Sequence, residues 1–277
     1  MAAKVRIPIQ AACACAGAFG LVLLFAYAVP VAGRADGTAL NGLMTVRGPR
    51  INPILEFFAH SANPRPVAII LAVIVVLGFV AGRRREALAA AALVGGATLT
   101  TEVLKVLLAH QRLDPTFAAQ HLGAPAFPSG HATGAMALAL AAVLVAGPRL
   151  RPLAVGAGAV YAIAVSTSIL ILGWHFPSDV FGGMLVAAFY FCLAVAALRA
   201  LARREEAGAS MSWARLRPRR WREIAALAVL VGAFVVAARA DAIATYASAH
   251  TTATVFALAV AACCVALVAA AAALADR

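Results

Sequence analysis

The feature that most limits the fold of this chain is its long uncharged apolar runs. Residues 252–274, "TATVFALAVAACCVALVAAAAAL", carry no charged side chain at all. Apolar stretches of roughly 18 or more residues read as bilayer-spanning helices, because only a helix satisfies its own backbone polar groups in hydrocarbon. Eight such segments are expected, at about 9–31, 67–82, 87–109, 131–147, 153–172, 180–199, 224–239 and 252–274. The composition agrees: 64% of the residues are hydrophobic and 12% charged, against about half and a quarter in soluble domains. The expected class is all-α, a polytopic membrane helical bundle. Its N-terminal run is long enough to span, so it is read as the first helix rather than a cleaved leader.

The net charge of +12 does not point to nucleic acid. About two thirds of the 23 Lys and Arg residues fall in one alternating set of connectors: the N-terminus, "RRRE" at 83–86, "PRLRP" at 148–152, the stretch 199–223 and the tail. Lys and Arg mark the cytoplasmic side of a membrane protein. Both termini are therefore expected in the cytoplasm of a multi-pass inner-membrane protein. The five cysteines lie inside apolar runs and read as small buried hydrophobes, with no disulfide framework and no metal-ligand spacing.

The basic stretch 199–223 separates six segments from two. It suggests a six-helix domain over 1–199, a linker on anionic headgroups at 200–223, and two further spans in 224–277. The outer connector 33–66 holds "ILEFFAH", amphipathic enough to lie in the interface. The glycine pairs at 95–96 and 182–183, and "GAGA" at 156–159, read as close helix contacts.

This topology sends three polar clusters to the same, outer face. Lys105 ends the third segment and Arg112 follows it. "PSGH" at 128–131 opens the fourth. His175 and Asp179, in "GWHFPSD", stand between the fifth and sixth. Cations with the free N–H groups of a helix start make an anion site, most often for phosphate. Gly130 allows close backbone approach. Two histidines and a carboxylate are parts for nucleophilic and acid–base catalysis. A transporter is disfavoured, since its charges would gather near mid-membrane.

The arrangement resembles the type-2 phosphatidic acid phosphatase family, which shares its site with vanadium haloperoxidases. The family's Lys-x6-Arg-Pro, Pro-Ser-Gly-His and Ser-Arg-x5-His-x3-Asp read here as "KVLLAHQRL", "PSGH" and "SILILGWHFPSD", within residues 67–199. The resemblance implies a lipid phosphatase with no cofactor and no metal. His175 is then the nucleophile, Asp179 orients it, and His131 serves as general acid and later base. Lys105, Arg112, Ser129 and Gly130 hold the phosphoryl oxygens. Glu102, one turn before Lys105, is a candidate to position that lysine. His110 and His121 are candidates to support the site from beside it, while His60 and His250 read as interfacial.

Two positions depart from the pattern. Leu113 replaces a proline, and Ile169 replaces the third-motif arginine, a phosphate ligand in the family. One lost cationic ligand is worth about 3 kcal/mol, or about a hundredfold in rate. Arg47, Arg50 and Arg65 of the first outer connector are candidates to replace it. Otherwise the enzyme is slow, or the chain binds lipid phosphate without turnover. A lipid phosphotransferase would use the same residues. The expected substrates are polyprenyl pyrophosphate, phosphatidylglycerol phosphate or phosphatidic acid.

Overall fold

The computed structural model describes residues 3–109, 126–206 and 240–276. They form ten helices and, among the described residues, no strand. The helices are α1 (Ala3–Ala28), α2 (Pro30–Met44), α3 (Asn52–Ser61), α4 (Pro64–Val80), α5 (Arg84–Leu107), α6 (Gly130–Val145), α7 (Arg151–Ile171), α8 (Pro177–Glu206), α9 (Ala240–Ala249) and α10 (Thr251–Asp276). Five of them, α1, α5, α7, α8 and α10, are long and apolar enough to cross a membrane; the bent pair α3–α4 makes a sixth if counted as one span. The chain is a multi-pass helical membrane protein. The expected seventh segment, 224–239, lies outside the described residues.

Proline and glycine set the helix ends. Proline stands in the first turn of α2, α3, α4 and α7, where its missing N–H goes unused. Gly173, at φ +71°, closes α7. Its N–H donates to Leu170, and the Trp174 N–H donates to Ile169 at 2.9 Å. Only glycine takes this left-handed cap at no steric cost. The same device at Gly82 (φ +73°) closes α4.

α6 is the centre of the bundle. It packs against α4, α5, α7, α8 and α10, and from Ala132 to Val145 only Ala142 is not fully buried. A helix apolar on every face has no lipid-facing side to lose. The outer helices instead turn large side chains outward: Ile69, Val73, Val76 and Val80 of α4, and Leu88, Leu99 and Val106 of α5. α10 joins the same core through buried Ala253, Val260, Cys264, Val268 and Ala271.

The first outer connector differs most from its expected form. Its beginning folds as α2, which buries Asp36, Ala39, Leu40, Gly42 and Leu43. Three glycines and mixed polarity hide this helix from periodicity; tertiary packing makes it. "ILEFFAH" does form a helix, α3, set at 61° to α4. Of the cysteines, Cys192 and Cys264 are buried and Cys13 faces outward; all five are free.

Several of the small residues do serve close packing. A Cβ on Gly96 would sit 2.5 Å from the Tyr190 ring, and one on Gly158 would meet Ala139 at 3.0 Å. Gly95 and Gly156 meet nothing within 4 Å and serve no such contact. Gly183 of α8 approaches backbone rather than a side chain. A Cβ there would lie 2.5 Å from the Ser129 carbonyl oxygen and 2.8 Å from Thr133 Oγ1. Gly183→Ala is therefore expected to destabilise the bundle by about 1–3 kcal/mol, because backbone must move. An unchanged thermal midpoint in detergent would contradict this packing.

Candidate active site

Three chain segments meet at one end of the bundle. α5 delivers Lys105 in its last turn, α6 opens with Ser129, Gly130 and His131, and the α7–α8 corner carries His175 and Asp179. Arg112, His110 and His121 lie outside the described residues.

Asp179 is fully buried in the first turn of α8. Its Oδ2 accepts the Phe176 N–H at 2.9 Å and stands 3.6 Å from His175 Nδ1. That second distance is longer than a hydrogen bond. His175 Nδ1 is itself buried and, among the described residues, has no hydrogen-bond partner. Such contacts are often loose without substrate and tighten with it. The carboxylate favours the tautomer with the proton on Nδ1, which leaves Nε2 with a lone pair.

The His131 ring lies 5.8 Å from the His175 ring, centroid to centroid, at 61°. Its Nε2 meets Asn63 Oδ1 at 2.9 Å. The amide oxygen can only accept, so Nε2 carries the proton in this contact and Nδ1 is the other nitrogen. Trp174 packs against both His131 and His60, with centroids 5.5 and 5.4 Å away. His60 therefore has an aromatic partner at the site's edge, beyond its reading as a plain interfacial residue. His250 stacks on Tyr246 at 4.6 Å.

Ser129 is the N-cap of α6. Its Oγ accepts the Ala132 N–H at 3.3 Å, and the residue is fully buried. Its own N–H donates to the Asp179 carbonyl at 2.9 Å, tying the starts of α6 and α8 together. Thr133 Oγ1 donates to the Ser129 carbonyl and meets Thr101 Oγ1 at 3.0 Å, which extends the polar link to α5. The Lys105 ammonium rests on Gly130: a Cβ there would be 2.9 Å from Nζ. Lys105 also pairs with Glu102 at 2.7 Å. The expected Glu102–Lys105 contact is thus present, with Glu102 the more exposed partner.

Ile169 is fully buried. The position that the resemblance gives to a phosphate-binding arginine has been absorbed into the core. Of the three candidate replacements, Arg47 alone is placed at the α7–α8 corner by a described bond. Its Nε donates to the Ile171 carbonyl at 2.7 Å and its Nη2 to that of Leu172. Arg50 and Arg65 are exposed. Among the described residues, no group of three or more His, Cys, Asp or Glu is placed to hold a metal ion.

Two site neighbours carry no motif and were missed by spacing. Asn63 reaches His131 from the α3–α4 bend. Asp36 of α2 accepts the Ser178 N–H at 3.1 Å and the Ser178 hydroxyl at 2.6 Å. For Asp36 the available signal was an acid within an otherwise weakly polar stretch; for Asn63 there was none.

Fold and site together define a class: a multi-pass helical membrane protein whose ionisable and polar groups converge at one end of the bundle. The PAP2 superfamily model matches residues 86–203, and over that segment the resemblance carried by the motifs holds. The crystal structure of the first transmembrane PAP2 type phosphatidylglycerolphosphate phosphatase from Bacillus subtilis has a similar fold. Its TM-score is 0.57 and its identity 19%, over 70% of this chain and 96% of that one. No curated protein matches.

Two outcomes check the site's construction. Ile169→Ala should cost about 2–5 kcal/mol of stability, as for other buried aliphatic truncations, and leave KM for a phosphorylated lipid unchanged. A large KM effect would show that the position faces substrate. Asn63→Ala should lower turnover by about tenfold or more, within the range of one acid–base group, and leave the thermal midpoint close to wild type.

Proposed function

We propose that the protein is a membrane lipid phosphatase that hydrolyses a phosphomonoester or pyrophosphate of a lipid. The observation that carries this reading is the pairing of two histidine rings 5.8 Å apart, with Asp179 behind one and Lys105 beside the helix start that bears the other. The PAP2 match over 86–203 and the fold of the Bacillus subtilis phosphatase support it.

In the proposed reaction His175 Nε2 attacks phosphorus and forms a P–N bond. The P–O bond to the lipid breaks, and His131 gives its proton to the departing oxygen. Water then attacks the phosphohistidine; His131 takes the water's proton, the P–N bond breaks and inorganic phosphate leaves. Asp179 stabilises the positive imidazole during the intermediate. Lys105, the Ser129 hydroxyl, the Gly130 N–H and Arg112 bear on the phosphoryl oxygens, where charge stabilisation matters most. Glu102 holds Lys105 in place. The basic connectors favour a site on the outer face of the inner membrane with both termini in the cytoplasm.

Phosphate release by purified protein from polyprenyl pyrophosphate, phosphatidylglycerol phosphate and phosphatidic acid tests this. Turnover on one of them that disappears in His175→Ala is the expected result. Wild-type protein that binds these lipids without releasing phosphate would favour a binding protein, which the burial of Ile169 already accommodates. Phosphate passed to a second lipid or sugar rather than to water would mark a phosphotransferase.

A further inference from the structure

The corner between α7 and α8 is short and carries the proposed nucleophile. It runs from the last carbonyls of α7 to the first turn of α8, with His175 in its middle. A helix pair joined this way has charge at both ends of the joint: exposed carbonyls closing α7 and exposed N–H groups opening α8. Both ends are met by one face of a single neighbouring element.

That element is α2 with the turn that follows it. Asp36 is 3% exposed, and its carboxylate takes the Ser178 N–H and hydroxyl at the start of α8. One turn on, Leu40 packs with Phe176, and Met44 joins the same cluster. Met44 also lies against Gly173: a Cβ on that glycine would be 2.9 Å from its sulfur. The turn at Thr45 and Val46 keeps the chain coiling, with Arg47 N–H donating to the Met44 carbonyl at 3.3 Å. Arg47 then gives Nε to the Ile171 carbonyl at 2.7 Å and Nη2 to Leu172. Positions 36, 40 and 44 share one face of α2, and Arg47 follows in the turn beyond it. An anion meets the positive end of α8, a cation meets the negative end of α7, and two apolar side chains lie between.

We propose that this face of α2, with the turn that follows it, is a brace that positions His175, with Asp36 and Arg47 as its positioning residues. The inference rests on the phosphatase reading for its catalytic consequence. It adds residues outside 86–203, the segment matched by the family model. It also gives Arg47 a role other than replacing a phosphate ligand, since two of its donors are committed to the end of α7. Asp36 reaches the nucleophile through Ser178 and the first turn of α8, where Asp179 contacts His175. A displacement of about 1 Å at a reacting group can cost about a hundredfold in rate.

The test uses the full-length protein in detergent or nanodiscs, with Asp36→Ala, Asp36→Asn and Arg47→Ala. Two quantities are read: kcat and KM on the lipid that wild type hydrolyses, and deuterium uptake by backbone amides across 172–179. Asp36→Ala should lower kcat by about 10- to 100-fold, with KM within about threefold of wild type. Asp36→Asn should recover most of the loss, because its amide oxygen still accepts the Ser178 N–H and its NH2 can donate to the Ser178 hydroxyl. Arg47→Ala should fall in the same direction as Asp36→Ala. Uptake should rise at the corner in both alanine variants and stay unchanged in α5 and α10. Unchanged kcat and unchanged uptake in Asp36→Ala would overturn the brace. So would a uniform rise in uptake through the bundle, which marks general loosening.

If Asp36→Ala does not fold, Ser178→Ala removes the 2.6 Å contact alone; a smaller kcat loss with corner-limited uptake supports the brace, and wild-type values overturn it. Should wild type release no phosphate from any lipid, the phosphatase reading fails by itself. Uptake at the corner then decides the brace alone.

Discussion

The site depends on one backbone hydrogen bond. The Ser129 N–H donates to the Asp179 carbonyl at 2.9 Å, joining the starts of α6 and α8. His131 lies in the first turn of α6 and His175 in the corner that leads into α8, so main chain rather than flexible side chains fixes their spacing. The bond is possible only because Gly183 lets α8 approach the Ser129 carbonyl to a distance that a methyl group would block. Thr133 and Thr101 then carry the polar contact on to α5 and Lys105's helix. Buried polar groups so linked are satisfied, and a satisfied network holds its members in one arrangement.

Much of this was readable before the structure. Apolar runs gave the helices of the core, since each long run needs only its own backbone hydrogen bonds to exist in lipid. Motif spacing brought Lys105, Ser129, Gly130, His131, His175 and Asp179 to one end, because odd and even helix ends alternate between faces. His175 and Asp179 also stand four apart, a local relation that sequence states directly. The Glu102–Lys105 pair was legible for the same reason.

What stayed hidden is non-local. α2 carries three glycines within a run of mixed polarity, so its helicity follows from burial of Asp36, Leu40 and Leu43 against partners distant in sequence. Asn63 reaches His131 across 68 positions of the chain; no pattern announces such a pair. Ile169 was visible as a departure, but not its fate. A side chain at that position could face the site or the core, and only packing decides. Here it lies in the core with Leu170 beside it. The tail helix α10 gave no sign of its role either, yet its small residues seat it against α2, α6, α7 and α8.

The shortness of α6 sets a depth. Near its far end, Arg83 reaches the Leu144 carbonyl at 3.4 Å, in a connector of three consecutive arginines that belongs at the headgroups. From Leu144 back to His131 the helix rises about 20 Å, at 1.5 Å per residue. The hydrocarbon layer is about 30 Å thick, and any tilt of α6 shortens the span further. With the arginines at one boundary of such a layer, a rise of about 20 Å ends short of the other boundary. On the phosphatase reading, a headgroup meeting the rings would then sink from its resting plane into a depression. Bilayer thickness would on that reading bear on access: a thinner membrane would bring the lipid's phosphorus level with the rings, and a thicker one would lift it away.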